Sequence, residues 1–305
     1  MQITQENLDA LRVTFEKRFG EAYAAQEPAL MPLATEVTSS TKSNTYGWIA
    51  QQVRLRQWLG PRVAQNLSEH SYTLANEPFE GTVELDRDDI EDDNLGIFEG
   101  QAIPQLAEAA AKHPDERIAD VLTSNPLAFD GLSLFNGAHP DFNGGTYDND
   151  HALALNATNI EAIKAIAAQY VGEDGQPLEV NYDTIIVPPQ LSFTAFQILN
   201  SASYASLVTG EGAGSVAIDN QLQGALNVIV SQRLAGSSGT WYLADLSKTI
   251  KPLLRQVRKA PEFVSRDQLT DPKVFDLKKF TYGVDLRDGH GVTLPFLIAR
   301  SVDPG

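Results

Sequence analysis

The chain of 305 residues is 42% hydrophobic and 21% charged, the balance of a globular protein with length for one large domain or two ordinary ones. It has no Cys, which excludes disulfides, thiolate metal sites and a thiol nucleophile, and fits cytoplasmic synthesis. Its formal net charge of −17 argues against nucleic-acid binding through a generally basic surface, because such affinity comes largely from neutralising phosphates. Residues 1–7 lack a basic start and an apolar run, so no secretory signal is expected. No stretch approaches the roughly 20 apolar residues of a membrane helix. Charge is uneven: residues 61–100 carry two basic and eleven acidic side chains, whereas residues 251–305 carry ten basic and seven acidic. An acidic segment and a basic tail of this kind can meet within one chain or between copies.

In chain order, Leu8, Leu11, Phe15, Phe19 and Tyr23 recur at helical spacing and predict an amphipathic helix over 5–23. Residues 24–46 lose that periodicity and, rich in Ser, Thr, Pro and Ala, read as an extended arm. Trp48 to Leu59 reads as a short helix stopped by Gly60-Pro61, and 72–85 as a polar, strand-like run. From Asp88 to Lys112, Ile90, Ile97, Phe98, Ala102, Leu106 and Ala109 keep to one face of a long helix. Pro104 has no N–H for the Gly100 carbonyl, so a bend is expected near 100–104. Pro114 and Asp115 are expected to open another short helix through Ser124. Residues 125–151 are dense in Gly, Asn and Asp and read as loop. Thr158 and Glu161 form a capping box ahead of a helix with Ile160, Ile163, Ala167 and Tyr170 on one face. Thr184–Val187 reads as a strand ended by Pro188-Pro189, 191–205 as a helix, 210–214 as a glycine turn and 228–230 as a strand. From Trp241 onward strands outnumber helices. Interspersed elements of both kinds, without an internal repeat, give an α+β fold class.

Chemistry is most concentrated at 84–93, where seven of ten residues are acids: Glu84, Asp86, Asp88, Asp89, Glu91, Asp92 and Asp93. A Mg²⁺ or Ca²⁺ site needs oxygens converging from several directions. These acids lie in a row along a strand end and a helix start, where the helix dipole favours them, and no His or Cys accompanies them. A solvated or interfacial charged face is the better reading. His139, Asp141, Asp148, Asp150 and His151 offer five potential ligands. An EF-hand loop from Asp148, however, would have Leu153 at its glycine position and Asn159 at its glutamate position. His139 and His151 lack the helical frame of a zinc pair, so a turn region is expected. Gly210, Gly212 and Gly214 lack the spacing of a dinucleotide or phosphate loop, and Glu211 would repel phosphate. No Gly-x-Ser-x-Gly is present, and Ser237 and Ser238 between Gly236 and Gly239 read as a hairpin turn. The basic run Lys248, Lys251, Arg255, Arg258 and Lys259 reads as a charged contact rather than a nucleic-acid site. No catalytic residue, metal or cofactor is assigned.

A longer pattern is carried by Trp241-Tyr-Leu-Ala-Asp-Leu-Ser-Lys-Thr-Ile-Lys-Pro252-Leu-Leu-Arg-Gln256-Val-Arg258-Lys-Ala-Pro261-Glu262-Phe263. Ahead of it come Trp48 with Leu55-Arg56-x-Trp58-Leu59-Gly60-x-Arg62, then Arg87-Asp88-Asp89-Ile90-Glu91-Asp92-Asp93, and His113-Pro114-Asp115-Glu116. Asp130-Gly131 with Phe135 and His139-Pro140 follow, and Tyr282-Gly283-Val284 with Arg287 closes the series. In this order, over about residues 45–300, the sequence resembles the Mu-like phage major head subunit family.

The resemblance implies the tailed-phage (Hong Kong 97-like) capsid fold and a structural, non-enzymatic role in the icosahedral head shell around double-stranded DNA. It maps an N-terminal arm and helices onto 1–69, with the arm itself at 1–46, and an extended loop onto 70–88. A peripheral domain with the spine helix (88–112) maps onto 89–152, an axial domain onto 153–240 and the second peripheral part onto 241–305. The acidic segment would then sit at the root of the extended loop. Glu84, Asp86, Asp88, Asp89 and Asp92 are expected to approach basic residues of another subunit, with Arg54, Arg56, Lys251, Arg255, Arg258 and Lys259 as candidates. Residues 70–93 contain no Lys, so covalent cross-linking from that loop is not expected. Implied partners are copies of the chain in hexamers and pentamers, a separate scaffolding protein, a portal and a decoration protein. Location in the virion after assembly in the host cytoplasm is implied, with no membrane. Two alternatives stand beside this reading: an encapsulin-like nanocompartment shell and an acid-rich metal-dependent hydrolase.

Overall fold

The computed structural model of the chain describes residues 3–48, 70–92, 97–141, 144–172, 175–208 and 214–305. Thr4 caps the first helix, α1 (Gln5–Ala24), by accepting from the Asn7 N–H, and Leu8, Phe15 and Phe19 are its buried positions. The chain continues through β1 (Ala34–Thr38), β2 (Ser43–Trp48), β3 (His70–Ala75) and β4 (Glu77–Asp86). The short α2 (Arg87–Glu91) and the long α3 (Ile97–Ser124) follow. Two-residue strands β5 (His139–Pro140), β6 (Thr146–Tyr147) and β7 (Asp150–His151) lead to α4 (Ala157–Ala167). Next come β8 (Thr184–Val187), α5 (Pro189–Asn200), β9 (Ser203–Val208), β10 (Gly214–Asp219) and β11 (Asn227–Val230). The last part holds β12 (Thr240–Ala244), β13 (Leu253–Arg266), α6 (Pro272–Leu277), β14 (Lys279–Val292) and β15 (Ile298–Val302).

Two larger sheets organise these elements. The first has the order β1-β13-β14-β4, with β1 parallel to β13 and the other pairs antiparallel. The second has the order β11-β8-β12-β15-β7 and is mixed, since β8 is parallel to β11 and antiparallel to β12. Successive residues of a strand face opposite sides, and both sides of the second sheet are covered. Ile185, Val187, Trp241 and Leu243 enter a core with Ile160 and Ile163 of α4 and Ala195 and Leu199 of α5. Ile186, Tyr242 and Ala244 enter the opposite core, with Ile118, Val121 and Leu122 of α3 and Leu30 and Leu33 ahead of β1. Towards its other end α3 sets Ile103, Leu106 and Ala107 against Leu85, Phe280, Tyr282 and Val284 of the first sheet and against α1. A helix of 28 residues spans about 42 Å. One helix thus ties the two sheets together.

Several elements depart from the sequence reading for local reasons. No second helix opens at Pro114, because α3 runs through both Pro104 and Pro114. Each proline costs about 3 kcal/mol inside a helix, and the buried stripe from Ile103 to Leu122 outweighs that cost. The start expected at Asp88 is the separate α2, capped by Asp86; residues 93–96 lie outside the described residues. α4 is capped by Asn156, which is extended and accepts from the Asn159 N–H, whereas Thr158 is already helical. α5 opens with Pro189 in its first turn and stops at Asn200, so 203–205 belong to β9. The stretch read as an arm lies partly on its own sheet. There β1 pairs with Leu253–Val257, and the Ala29 and Leu30 N–H groups donate to the Asp115 carboxylate. Trp48 closes β2 instead of opening a helix; the rest of that expected helix, and 210–213 of the glycine turn, lie outside the described residues. The Ser237 carbonyl accepts from the Thr240 N–H in a turn that is no hairpin, since β8 separates β11 from β12.

Residues 70–86, within the stretch expected as the extended loop, divide between two sheets. Residues 77–86 are bonded along their whole length to β14 as an edge strand of the first sheet. A separate two-stranded ribbon, one of three two-stranded sheets among the described residues, pairs β2 with β3 and so 43–48 with 70–75.

Candidate functional site

The ribbon meets the first sheet at a close-packed joint. Tyr46 faces Tyr72 across the ribbon, and the next pair, Thr45 and Thr73, is on its exposed side. Tyr46 Oη donates to Gln256 Oε1 at 2.5 Å, and Gln256 Nε2 donates to Asn76 Oδ1 at 2.7 Å. Asn76 Nδ2 in turn donates to Thr41 O at 2.8 Å and Ser39 Oγ at 2.9 Å. Gln256 is fully buried and Asn76 nearly so. Removing a partner here would orphan polar atoms that water cannot reach. Gly289 and Gly291 of β14 permit the approach of β3. A Cβ on Gly289 would run into the Ala75 carbonyl oxygen, and one on Gly291 into the Tyr72 hydroxyl.

A charged cluster lies under this joint. His113 Nε2 of α3 sits 3.1 Å from Asp288 Oδ1 of β14, and Arg255 Nε of β13 donates to Asp288 Oδ2 at 3.4 Å. Arg255 Nη1 also donates to Glu36 Oε2 of β1 at 2.9 Å. The cluster therefore holds α3 and three strands of the sheet together. Burial opposes ionisation of Asp288, but the His113 bond and the positive groups around it prevail and keep its carboxyl below the usual range. Beside it, His290 is buried with neither ring nitrogen hydrogen-bonded, and burial pushes its pKa down to about 4 against the pull of Asp288. Leu74, Ala75, Phe79 and His290 line a cleft of about 120 Å³ between the ribbon root and the sheet.

Within the acidic stretch Glu84, Asp86 and Asp88 find partners inside the chain. Glu84 on β4 is bonded by Lys273 and, at 3.0 Å, by Lys279, and these bonds hold its carboxyl below the usual range. Asp86 accepts from the Asp88 N–H, and Asp88 pairs with Lys278 at 3.2 Å. The basic tail thus meets the acidic segment within one subunit, through lysines that the sequence reading did not name. Lys251 donates to the Leu246 and Lys248 carbonyl oxygens, Lys259 pairs with Glu262 at 2.8 Å, and Arg255 is committed to the buried cluster. Among the described residues Asp89, Asp92 and Arg258 have no ion-pair partner. Arg54 and Arg56 lie outside the described residues. The ten residues of β4 span about 33 Å, so the acidic segment sits at the far end of β4 from the ribbon.

Four of the five potential ligands in the second cluster are held by local bonds, and the fifth, His151, has its Nδ1 3.7 Å from Asp148 and its buried Nε2 without a hydrogen bond. His139 Nδ1 lies 2.6 Å from Asp130 Oδ2, and its Nε2 lies 3.1 Å from the Leu134 carbonyl. Asp141 accepts from the Gly145 N–H and Asp148 from the Asp150 N–H, while Asp150 takes a bidentate pair from Arg300 at 2.9 and 2.7 Å. Between them Asn149, fully buried, donates Nδ2 to the carbonyls of Leu134, Pro295 and Ile298 and accepts from the Asn136 N–H. This is a scaffold that fastens 125–151 onto the second sheet. Spacing alone could not disclose Asn149, whose partners at 295 and 298 are remote in sequence.

Known proteins agree with this architecture. The Mu-like prophage major head subunit gpT family matches residues 8–153, 146–234 and 217–304. The major capsid protein of Escherichia phage Mu is 28% identical over 293 residues, covering 95% of this chain and 72% of that protein. The Mu-like prophage FluMu major head subunit of Haemophilus influenzae is 28% identical over 291 residues, covering 95% and 71%. Among solved structures, a chain of the bacteriophage JBD30 procapsid superposes with a TM-score of 0.62 at 28% identity, covering 99% of this chain and 77% of that one. A virus-like particle from Pyrococcus furiosus shares the fold, with a TM-score of 0.53 at 11% identity over 94% of this chain and 97% of that one. The α+β fold is that of tailed-phage capsid proteins, and the chain belongs to the Mu-like prophage major head subunit gpT family, a structural capsid protein and not an enzyme.

Proposed function

We propose that the chain closes the phage head around double-stranded DNA through hexamers and pentamers, with the β2–β3 ribbon as part of its extended loop. This replaces the 70–88 assignment, and what supports it is the bonding: 77–86 is held along its length by β14, whereas β2 and β3 pair only with each other. The first sheet with α1 and α3 corresponds to the peripheral domain, and 153–240, with α4 and α5, to the axial one. Each subunit contributes several modest interfaces, and copies linked in closed rings reinforce one another without a single strong contact.

Charged contacts between subunits fall to Asp89, Asp92 and Arg258, with Arg54 and Arg56 as further partners. Glu84, Asp86, Asp88, Lys251, Arg255 and Lys259 would have to share or exchange the bonds they already make. Exposed pairs are worth about 0–1 kcal/mol each, so they set register more than strength. A scaffolding protein, a portal and assembly in the host cytoplasm complete the reading. A decoration protein is supported by a JBD30 capsid described as decorated with minor capsid protein trimers.

The observation that carries the proposal is the family match along nearly the whole chain together with the likeness to a procapsid subunit. Negative-stain microscopy of the purified protein tests it: shells or capsomer rings are expected, and single subunits under all conditions would overturn it. The likeness to the Pyrococcus furiosus particle keeps a DNA-free compartment as the second reading; packaged DNA in native particles decides between them.

A further inference from the structure

We infer that the outward face of α5 is a contact between copies of this chain, an inference that rests on the shell reading above. Its inward side is fixed by the core: Ala195 and Leu199 are buried, with Leu191 and Ile198 packed against the same cluster. Gln190, Phe193, Phe196, Gln197 and Asn200 form the opposite, exposed face of the helix. Their three- and four-residue spacing puts them on one side. Phe193 is 77% exposed and Phe196 44%. Two outward phenylalanines add nothing to the subunit's own core and are a cost in water until covered.

Charge identifies what covers them. Among the described α-helices, α5 alone contains no Asp, Glu, Lys or Arg. Of the other exposed apolar side chains on helices, Val13 sits beside Arg12 and Phe275 and Leu277 beside Asp276, while Ile166 is a single side chain, 39% exposed, on a helix that carries Glu161 and Lys164. A basic partner would be drawn to the acidic surface of a chain carrying −17 and would gain nothing from a neutral patch. A second copy carries the same −17 and is repelled by most of that surface. Apart from matched charge pairs it meets least repulsion where acids are missing, and a neutral, aromatic helix face framed by amides is such a place. The contact is head-to-tail around a ring, so the partner surface need not be α5 itself.

The absence of Cys makes the test direct, because Phe193→Cys introduces the chain's only thiol. Maleimide should label it readily in unassembled subunits and at least about tenfold more slowly in shells formed by this chain without any decoration protein. Equal rates in the two states would overturn the inference, as would protection that appears only when a decoration protein is added. A Phe193→Gln, Phe196→Gln double variant should keep the unfolding midpoint of the free subunit and lose shell yield by at least about tenfold. Unchanged yield would overturn the inference. Failure of the parent chain to form shells at all would instead remove the shell reading beneath it.

Discussion

His290→Phe should remove a measurable part of the subunit's sensitivity to acid. In the folded chain His290 has a pKa of about 4 against an ordinary 6.5, because burial of the ring disfavours its charged form more than the nearby Asp288 favours it. The unfolded chain binds that proton as pH falls through 6.5 while the folded chain refuses it, so stability is lost between 6.5 and about 4. At about pH 5 the loss from this one group is about 2 kcal/mol, and near neutral pH it is almost nil. Phenylalanine keeps the ring and cannot titrate, and the adjoining cleft of about 120 Å³, lined by Phe79, takes up its extra volume. Asp288 remains in both proteins. Its lowered carboxyl stays charged across this window and gives up its stabilising charge only as pH falls through its own, lower value. Urea unfolding of the unassembled subunit at about pH 7 and about pH 5 reads the effect. The parent should lose about 2 kcal/mol more than His290→Phe between the two conditions. Parallel losses would refute the assignment of a buried, neutral His290.

Other substitutions probe the remaining joints. Gly289→Ala sets a Cβ against the Ala75 carbonyl, a backbone atom that cannot rotate away; an overpacking cost of about 1–3 kcal/mol in urea unfolding is expected. Asn149→Ala removes a fully buried donor to three carbonyl oxygens and the acceptor of the Asn136 N–H, while His139 and the Ile298 N–H still reach the Leu134 and Pro295 carbonyls. It should cost about 3 kcal/mol or more, and a loss below about 1 kcal/mol would show that the Asn149 bonds are dispensable. Lys273→Ala breaks a solvent-screened pair with Glu84, which keeps Lys279, and should leave the urea unfolding midpoint of the free subunit unchanged. Reversing the charge of Asp89 and Asp92 should change the salt dependence of shell assembly, measured by light scattering, while leaving the free subunit as stable as before. An unaltered salt dependence would remove them from the subunit contacts.

Local signals in the sequence were read where they were local. The Leu8–Phe15–Phe19 spacing marks α1, and the β-branched run at Thr184–Val187 marks a strand covered on both faces. Signals that compete at short range were misread. Thr158 and Glu161 look like a cap, but Asn156 two residues earlier is as good an acceptor and is the one left extended. Pro114 is a helix breaker by its chemistry, yet the apolar stripe on either side of it is continuous and prevails. The ribbon joint was invisible because Tyr46, Gln256 and Gly289 belong to three strands and Asn76 to the junction of two others, and they meet only through pairing. The meeting of acidic segment and basic tail was legible as net charge. The particular lysines, 273, 278 and 279, were not, since they depend on the β4–β14 register that sets Lys279 opposite Asp86.

Electron cryomicroscopy of shells assembled from this chain tests the central claim most directly, by locating 43–75 relative to the subunit that carries it. The account predicts that the β2–β3 ribbon, held at its root by Tyr46, Asn76 and Gln256, lies across the neighbouring subunit while 77–86 stays in its own sheet. A ribbon folded back onto its own subunit, with 77–86 reaching the neighbour, would contradict it.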